Sequence, residues 1–412
     1  MSADIKKTET RHGLATELIH HPYLPPSEWA ATQPGVYKAS SVFFPDMAAL
    51  RGRRWVDKSA YTYGLKGTPT TYVLEERLAT LEGANHVMLV PSGLAAITLI
   101  DMALLKSGDE VLLPDNVYAP SLSFAQHELA NWGITHARYD QMSVVSLAEA
   151  LTPATKLVWL EAPGSVTLEF PDLRGLVRCI REKAPQALIA LDNTWGSGVA
   201  FKPFDLARVD GSQAGDHLGV DLSAHALTKY PSGGGDVMMG SVACRDPALH
   251  HRLAWSHSRL GFGVGVDDVA AVIKGLATLD LRYHAQDAAA RRIAAWCERQ
   301  PQFKRVLSPA HPGSPGHQHW AELCTSAAGL VTVEVRDHYS PAQVDAFVEA
   351  LKIFRIGWSW AGPISLAVPY DLRHMRSKPH DYRGIMVRLC IGLESVDDLI
   401  ADLVQAMRVL EG

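Results

Sequence analysis

The sequence predicts an α/β fold in which a largely parallel sheet lies between layers of helices, followed by a smaller α+β domain. From about residue 70, short apolar runs alternate with amphipathic stretches. The runs are apolar on both faces, which is typical of strands buried inside a parallel sheet. Beyond about residue 265, long helical stretches precede the remaining strands. Strands that alternate with helices indicate a sheet covered by helices on both sides.

The first domain alternates strands with helices. Its strands are predicted at 87–90, 111–113, 156–160, 188–191 and 238–243. The helices that connect them are predicted at 94–105, 122–132 and 173–183.

The second domain combines longer helices with strands. Helices are predicted at 269–283 and 287–299, and strands at 329–335 and 386–391. The last helix is the clearest element, because Ser395 can cap it and Asp397 and Asp398 complement the positive end of its dipole. Its apolar face is predicted to consist of Val396, Leu399, Ile400, Leu403, Val404, Met407 and Leu410.

The start of the chain differs from both domains. Residues 1–63 have weak periodicity, several prolines and scattered aromatic side chains. Such a segment cannot bury its own apolar groups compactly, so we expect it to wrap over another surface, either the main domain or a second subunit. We therefore predict an N-terminal arm at 1–63, an α/β domain at 64–265 and a C-terminal domain at 266–412.

Composition and charge narrow the class of partner. The 412 residues include 39 Lys and Arg against 44 Asp and Glu, so the formal net charge is −5. A basic excess is needed to neutralise phosphate backbones, so its absence disfavours binding to nucleic acid or to a membrane surface. No apolar stretch reaches the roughly 18 residues of a membrane span, and the polar start of the chain does not resemble a secretory signal. We expect a cytoplasmic protein whose partner is a small molecule.

The cysteines and histidines predict neither disulfides nor a metal site. The five cysteines are far apart and form no C-x-x-C pair, which disfavours a disulfide framework or a structural zinc ion. The histidine pairs at 20–21 and 250–251, and His317 with His319, lack an acidic ligand at helical spacing. We predict no metal ion.

Two turns contain groups that can bind a ligand. Ser92, Gly93 and Leu94 join an apolar strand to a helix. Amides at a helix N-terminus can hold a phosphate, although the same pattern also fits a plain strand-to-helix turn. Asp192 follows another apolar strand, at the sheet edge where ligands of α/β proteins bind. The alternative there is an aspartate that starts a turn.

A lysine is the third candidate for binding a ligand. Lys229 follows a strand-like run and Thr228, and it precedes a glycine-rich loop. Partial desolvation would lower its pKa toward that of an amine nucleophile; a solvated loop lysine is the alternative. A phosphate seat, a strand-end carboxylate and a lysine are the parts that hold pyridoxal 5'-phosphate, because its pyridine nitrogen needs an anion and its aldehyde needs an amine. The sequence therefore predicts this cofactor.

Ordered motifs along nearly the whole chain support this prediction. They are Tyr63-Gly64, Gly67-Thr68-Pro69-Thr70, Leu81-Glu82-Gly83, Pro91-Ser92-Gly93, Tyr118-Ala119-Pro120-Ser121, Leu160-Glu161-Ala162-Pro163-Gly164-Ser165, Asp192-Asn193-Thr194-Trp195, Thr228-Lys229-Tyr230, Ser359-Trp360 and Arg388-Leu389-Cys390-Ile391-Gly392-Leu393-Glu394. On these motifs the chain resembles the Cys/Met-metabolism family of pyridoxal-phosphate-dependent enzymes, and within it the bacterial enzymes that cleave L-cystathionine. The resemblance implies a pyridoxal-phosphate-dependent transferase-like fold of type I, with a mostly parallel seven-stranded sheet.

The resemblance also implies how the cofactor is held. Lys229 would bind it covalently, Asp192 would pair with its pyridine nitrogen, and Tyr118 would stack on its ring. The groups implied to hold the phosphate are the amides of Gly93 and Leu94, the hydroxyl of Thr228, and Tyr63 from a neighbouring subunit. The expected catalytic residues are Lys229, Tyr118 and Tyr63.

The substrate site is implied by the same resemblance. Arg388 would hold the α-carboxylate through a bidentate pair that lysine could not reproduce. The residues expected to line or face the site are Ser359, Trp360 and Trp358.

Several positions depart from the family pattern. Leu65 stands where family members usually have an arginine that holds the neighbour's phosphate, so either Lys66 substitutes for it or the phosphate is held by one positive charge fewer. Only one hydroxyl, that of Thr228, precedes the lysine. The residues that replace glycine and acidic positions after the Ser-Trp pair, and so reshape the substrate mouth, are Ala361, Pro363 and Ile364. The stretch at 208–219 is predicted to be an insertion.

The activity that the resemblance implies is α,β-elimination of L-cystathionine to homocysteine, pyruvate and ammonia. The alternatives are a cystathionine γ-lyase or a homoserine-ester sulfhydrylase of the same family, or a lyase for cystine or S-alkylcysteines. A non-catalytic regulator that binds the cofactor is a more remote alternative, since Lys229, Asp192, Tyr118 and Arg388 are all present. The family suggests a homotetramer, a dimer of dimers with active sites shared between subunits.

Overall fold

The computed structural model describes residues 31–211 and 218–411. The chain divides into two compact units, 1–34 and 35–412, and the first lies almost wholly outside the described residues. The beginning of the predicted arm and the centre of the predicted insertion at 208–219 also lie outside them. The second unit contains two β-sheets and the helices that pack on them.

The larger sheet has seven strands. They are β1 His86–Val90, β2 Glu110–Pro114, β3 Thr135–Tyr139, β4 Thr155–Glu161, β5 Leu188–Asp192, β6 Leu222–His225 and β7 Gly240–Cys244. Their order across the sheet is β1-β7-β6-β5-β4-β2-β3. β7 is antiparallel to both of its neighbours, whereas β6, β5, β4, β2 and β3 pair in parallel. The predicted mostly parallel seven-stranded sheet is confirmed.

Helices cover both faces of this sheet, and others belong to the C-terminal part. They are α1 Met47–Arg51, α2 Pro69–Glu82, α3 Gly93–Leu104, α4 Ala119–Phe124, α5 Val144–Ala150, α6 Leu173–Lys183, α7 Pro247–Leu260, α8 Val266–Leu276, α9 Leu279–Cys297, α10 His317–Leu323, α11 Pro341–Glu349 and α12 Val396–Met407. A π-helical turn, Ala125–Leu129, continues α4. No helix in 31–211 or 218–411 is long and apolar enough to cross a membrane.

Side-chain alternation along the strands builds a core on each face of the sheet. In β5, Ile189 and Leu191 belong to one hydrophobic cluster, whereas Ala190 between them belongs to another on the opposite face. Both faces of the strand are therefore buried, as its continuous apolar sequence predicts.

A smaller sheet follows in the C-terminal part. Its strands are β8 Phe303–Leu307, β9 Leu330–Val335, β10 Arg355–Ile356, β11 Leu366–Tyr370 and β12 Met386–Cys390, in the order β10-β11-β12-β9-β8. Its centre is antiparallel. One face packs against α12 through Leu399 and Leu403, so the predicted second α+β sheet domain is confirmed.

Three details of the helix predictions are wrong. The segment predicted as one helix at 269–283 is two helices, because the Thr278 hydroxyl and the Arg282 guanidinium both donate to the carbonyl of Gly275 and end α8 there. Ser395 occupies the N-cap position of α12, but its side chain makes no capping hydrogen bond. Val404 is exposed rather than part of the buried face, whose apolar members are Leu399, Leu403, Ala406 and Met407.

Candidate functional site

The carboxyl ends of the parallel strands bring the predicted cofactor residues together. Asp192 is the last residue of β5, and Lys229 lies four residues beyond the end of β6. Gly93 follows β1 and Tyr118 follows β2 at the same edge. Ligands of open α/β sheets bind at this edge, so the topology gathers groups that are far apart in the sequence.

Asp192 is held in a fixed orientation. Its Oδ1 accepts a hydrogen bond from the backbone N–H of Thr194 at 3.0 Å. The Thr194 hydroxyl in turn accepts the N–H of Ala226 at 2.9 Å, which ties this turn to the segment that leads to Lys229. Desolvation raises the pKa of Asp192 above the ordinary aspartate value, and the hydrogen bonds from Thr194 and the nearby His225 and Lys229 offset this effect only in part. A carboxylate in this position is stabilised by a cationic partner.

Lys229 lies in surroundings that disfavour its charge. Burial lowers the pKa of its amine, and the positive charge of Arg388 lowers it further. The Nζ atom lies 3.4 Å from the hydroxyl of Thr228 and 5.5 Å from the ring centroid of Trp360. This amine is thus more readily deprotonated than that of an ordinary solvated lysine, as a nucleophile requires.

The turn before α3 has the shape of a phosphate seat. The Ser92 hydroxyl accepts the N–H of Ala95 at 3.0 Å and caps the helix. A Cβ atom on Gly93 would lie 2.5 Å from the Cβ of Ala226, so only glycine allows the helix N-terminus to lie this close to the segment before Thr228. Amides and the dipole at a helix N-terminus favour an anion.

Tyr118 lies near the other candidate site residues, whereas Tyr63 contacts the N-terminal arm. The N–H of Tyr118 donates to Oε2 of Glu161 at 2.8 Å, and its exposed ring lies within the electrostatic reach of Asp192 and Arg388. Tyr63 is also exposed, but its described contacts are with the arm, where its hydroxyl lies 3.3 Å from that of Ser40.

Position 65, where the family has a phosphate-binding arginine, is occupied here by a leucine. Leu65 lies in a short 3₁₀ turn, and the adjacent Lys66 places its Nζ 4.3 Å from the ring centroid of Trp55. Burial and the charge of Arg53 lower the pKa of Lys66. The basic side chains of Arg53 on the arm and of Lys66 just beyond it thus lie near each other.

Arg388 presents an open donor beside the lysine. It lies in the centre of the smaller sheet on β12, only 8% exposed. Its guanidinium carbon lies 5.2 Å from the ring centroid of Tyr370, and its Nε has no partner among the described residues. A buried cation with an unused donor is suited to bind a carboxylate.

The Ser-Trp segment lines only part of this cleft. The Trp360 ring lies edge-on to Tyr230, with 5.7 Å between the ring centroids, and near Lys229. Ser359 is partly exposed, and Trp358 is 82% exposed. Ala361, which follows Trp360, adopts a positive φ of 69°.

One functional candidate was missed in the sequence. Glu161 ends β4 directly opposite Asp192 in the strand register. Desolvation and the Asp192 charge raise its pKa well above the ordinary value. The strand-end argument that selects Asp192 applies equally to Glu161, so the signal was present.

A loop of the C-terminal domain is fastened beside the site. Asp115, which follows β2, accepts hydrogen bonds from the backbone and hydroxyl of Ser377, from the N–H of Lys378 and from Arg138. The Tyr382 hydroxyl donates to Glu169 at 2.9 Å. These contacts connect the loop after β11 to the sheet edge that carries Tyr118.

The residues present fit pyridoxal 5'-phosphate. The glycine cradle at Gly93 suits a phosphate, Asp192 suits a protonated pyridine nitrogen, and Lys229 is a desolvated amine. Among the described residues, no group of three or more acidic, cysteine or histidine side chains is arranged to hold a metal ion.

Comparisons with known proteins indicate one group of enzymes. The family model described as Cys/Met metabolism PLP-dependent enzyme matches residues 15–408. A cystathionine beta-lyase from Escherichia coli is 33% identical over 373 residues, which cover 89% of this chain and 91% of that protein. A putative cystathionine beta-lyase from Rhizobium johnstonii is 36% identical over 397 residues, 95% of each chain.

A solved structure and two further relatives show that proteins similar to this chain have several different activities. The crystal structure of cystathionine gamma synthase from Xanthomonas oryzae pv. oryzae, in complex with aminoacrylate and cysteine, matches with a TM-score of 0.81. It is 28% identical, and the match covers 94% of this chain and 95% of that one. An L-alanine/L-glutamate racemase and an L-methionine gamma-lyase are 32% and 30% identical. Similarity at this level does not separate the activities.

Proposed function

The chain belongs to the Cys/Met metabolism family of pyridoxal-phosphate-dependent enzymes, and from this premise we propose that it is a carbon-sulfur lyase acting on L-cystathionine by α,β-elimination. Its products would be homocysteine, pyruvate and ammonia. The cystathionine beta-lyases at 33% and 36% identity support this choice of substrate.

One observation supports the chemistry most directly. The amine of Lys229, with its lowered pKa, lies within the electrostatic reach of both Arg388 and Asp192. A base at Cα is needed between the group that holds the substrate carboxylate and the group that faces the pyridine nitrogen. The site brings these three side chains together from the two sheet domains.

Each side chain then has a task. Bound to Lys229, pyridoxal 5'-phosphate would supply a conjugated ring that takes up the electron pair left at Cα when a proton is removed. Arg388 would hold the substrate α-carboxylate, and Tyr118 would restrain the ring by stacking. Asp192 would hold its negative charge at the pyridine nitrogen. The Lys229 amine, freed when the substrate amine takes its place, would accept the Cα proton.

The remaining steps of the reaction need no reactant other than water. Breaking the Cβ–S bond would release the sulfur as homocysteine once the sulfur gains a proton, and we assign the delivery of that proton to the Lys229 ammonium. The three-carbon remainder takes up one water molecule and leaves as pyruvate and ammonia.

Elimination or replacement at the γ-carbon is the second candidate reaction, and the residues at positions 358 and 360 help to distinguish it from elimination at the β-carbon. The resemblance associates an acidic residue at position 358 and a leucine at position 360 with γ-chemistry, whereas this chain has Trp358 and Trp360. Cystine and S-alkylcysteines are further candidate substrates, because Ala361 and Pro363 alter the mouth of the site.

Product analysis with L-cystathionine tests the proposal. We expect the purified enzyme to form pyruvate, measured with lactate dehydrogenase, and Lys229→Ala to reduce the rate by on the order of 10³-fold or more. Lys274→Ala removes an exposed lysine on α8 and serves as the control with wild-type activity. Formation of 2-oxobutyrate in place of pyruvate, or pyruvate formation by Lys229→Ala at the wild-type rate, would contradict the proposal.

The active site is also proposed to be shared between subunits of a homotetramer. Tyr63 is exposed, and its hydroxyl contacts that of Ser40 on the arm. An exposed aromatic arm is suited to lie against a second copy.

A further inference from the structure

A carboxyl group to which the proposed reaction gives no task is bonded to the turn that carries Tyr118. Glu161 is the last residue of β4, and its Oε2 accepts the backbone N–H of Tyr118 at 2.8 Å. β2 and β4 pair in parallel, so their carboxyl ends lie side by side and Glu161 reaches the segment that follows β2. The contact thus joins the end of one strand to the turn after its neighbour, at the edge where the cofactor is proposed to bind.

The backbone of Tyr118 is held from two sides. On one side it occupies the N-cap position of α4, where its carbonyl accepts the N–H groups of Ser121 at 2.9 Å and Leu122 at 3.4 Å. On the other side its own N–H donates to Glu161. The Tyr118 ring is 41% exposed, so packing within the chain restrains it only weakly. The direction of the ring therefore depends on how firmly the backbone of Tyr118 is held.

The contact holds Tyr118 beside the groups proposed to bind cofactor and substrate. Glu161 pairs with Asp192 in the strand register, and paired residues of neighbouring strands point to the same face of the sheet. The hydroxyl of Tyr118 lies within electrostatic reach of both Asp192 and Arg388. Glu161 thus connects the backbone of Tyr118 to the strand end next to Asp192.

Other contacts keep the turn folded when this one is removed. The carbonyl of Asn116 accepts the N–H of Ser165 at 2.9 Å, and the Asn116 amide donates to Oε2 of Glu169 at 2.7 Å. Both partners lie in the segment after β4. Loss of the Glu161 contact would therefore free Tyr118 while Asn116, two residues earlier, stays attached.

The hydrogen bond does not depend on the charge of Glu161. Desolvation and the neighbouring Asp192 raise the pKa of Glu161. A carboxylate and the carbonyl oxygen of a carboxylic acid both accept an N–H, so the contact persists in either form. Glutamine carries the same carbonyl acceptor at the same distance from the backbone, whereas leucine carries none. These two substitutions therefore separate the hydrogen bond from the charge.

We propose that Glu161 is a positioning residue, which keeps the Tyr118 ring stacked on the cofactor by accepting the backbone N–H of Tyr118. This inference rests on the stacking role given to Tyr118 in the proposed function. Glu161 acts through the tyrosine and takes no part in the transfer of a proton.

The visible circular dichroism of the loaded enzyme tests the proposal without a substrate, because it reports the surroundings of the bound cofactor. Glu161→Leu is expected to reduce this signal by about half and to weaken binding of pyridoxal 5'-phosphate about fivefold, as the loss of one hydrogen bond allows. Glu161→Gln keeps the acceptor and should preserve both properties. Glu161→Asp retains the carboxyl group but withdraws it by one methylene, so it should act like Glu161→Leu and serves if the leucine variant does not fold.

A double-mutant cycle shows whether the effect passes through the ring. Tyr118→Leu removes the ring but keeps the N–H, so adding Glu161→Leu to it should weaken cofactor binding no further. Asp402→Leu is the matched control, because Asp402 is a buried carboxyl that accepts the N–H groups of 352–354 from α12. It should lower stability and leave both the circular dichroism and cofactor binding unchanged.

The possible failures are distinguishable. If Tyr118→Leu changes the circular dichroism and neither Glu161→Leu nor Glu161→Asp does, Glu161 does not position the ring and the inference is wrong. It is also wrong if Glu161→Gln is as impaired as Glu161→Leu, or if Glu161→Leu weakens binding further in the Tyr118→Leu protein. If Tyr118→Leu itself has no effect, the proposed stacking fails. Failure of the proposed activity would appear separately, in the products formed from L-cystathionine.

Discussion

Lys229 illustrates how a single residue obtains its chemistry from its surroundings. Burial disfavours its ammonium form, Arg388 adds a like charge that lowers the pKa further, and Asp192 raises it again. The first two effects prevail, so the neutral amine forms at a lower pH than in an ordinary lysine. The same arginine is proposed to hold the substrate carboxylate, so one cation serves both binding and the activation of the nucleophile.

This balance predicts the pH dependence of cofactor attachment. Only the neutral amine attacks an aldehyde, so the rate at which the cofactor-free enzyme binds pyridoxal 5'-phosphate should rise with pH and level off below the ordinary lysine value of 10.5. Arg388→Gln removes the positive charge, raises the pKa of Lys229 and should move the profile to higher pH. Stopped-flow absorbance measures it. Arg292→Gln, at an exposed pair with Asp397, is the control, and an identical profile for Arg388→Gln would refute this account of the lysine.

At the scale of elements, local sequence patterns predicted those site residues that lie directly after a single strand. Gly93, Asp192 and Lys229 each follow an apolar run, and the carboxyl ends of parallel strands meet at one edge. The buried hydrogen bond between Glu82 and His225 could not be found in this way, because the two are 143 residues apart. A local signal was nevertheless present, since a histidine within the apolar segment of β6 is unusual.

The same reason explains why the fastening of the C-terminal loop was not predicted. Asp115 and Ser377 are 262 residues apart, and nothing in either local sequence specifies the other. Asp115 is buried and accepts from Arg138 at 2.8 Å as well as from the loop. The carboxylate thus joins β2, β3 and the loop after β11 beside Tyr118.

Replacing this carboxylate should weaken the fold. Asp115→Asn leaves the Arg138 cation without its anion and removes loop hydrogen bonds, so we expect a loss of about 3 kcal/mol in the free energy of unfolding. Urea denaturation of the loaded enzyme measures it. Asp381→Asn breaks the exposed pair with Arg305 and should cost less than about 1 kcal/mol. Equal effects of the two substitutions would show that the Asp115 contacts do not fasten the loop.

At the scale of the whole molecule, the two sheets contribute complementary groups to one cleft. The larger sheet presents Asp192 and Lys229, and the smaller sheet presents Arg388 from β12. A formal net charge of −5 gives no general attraction for anions, so affinity for the phosphate and for the carboxylate must come from placed groups. Tyr63 at the end of the arm and Lys66 just beyond it are proposed to be such groups, because sharing of sites would bring them to the partner's cofactor.

Mixing two inactive variants tests this sharing. If Tyr63 serves the neighbouring site, a dimer of Tyr63→Phe and Lys229→Ala subunits has one site with both wild-type residues and one with neither. Random pairing makes half of the dimers mixed, each with one intact site of two, so co-expression should restore about a quarter of wild-type pyruvate formation. Each variant alone is the control. Because unshared sites would each retain one defect, a mixture as inactive as its components would show that Tyr63 acts within its own chain.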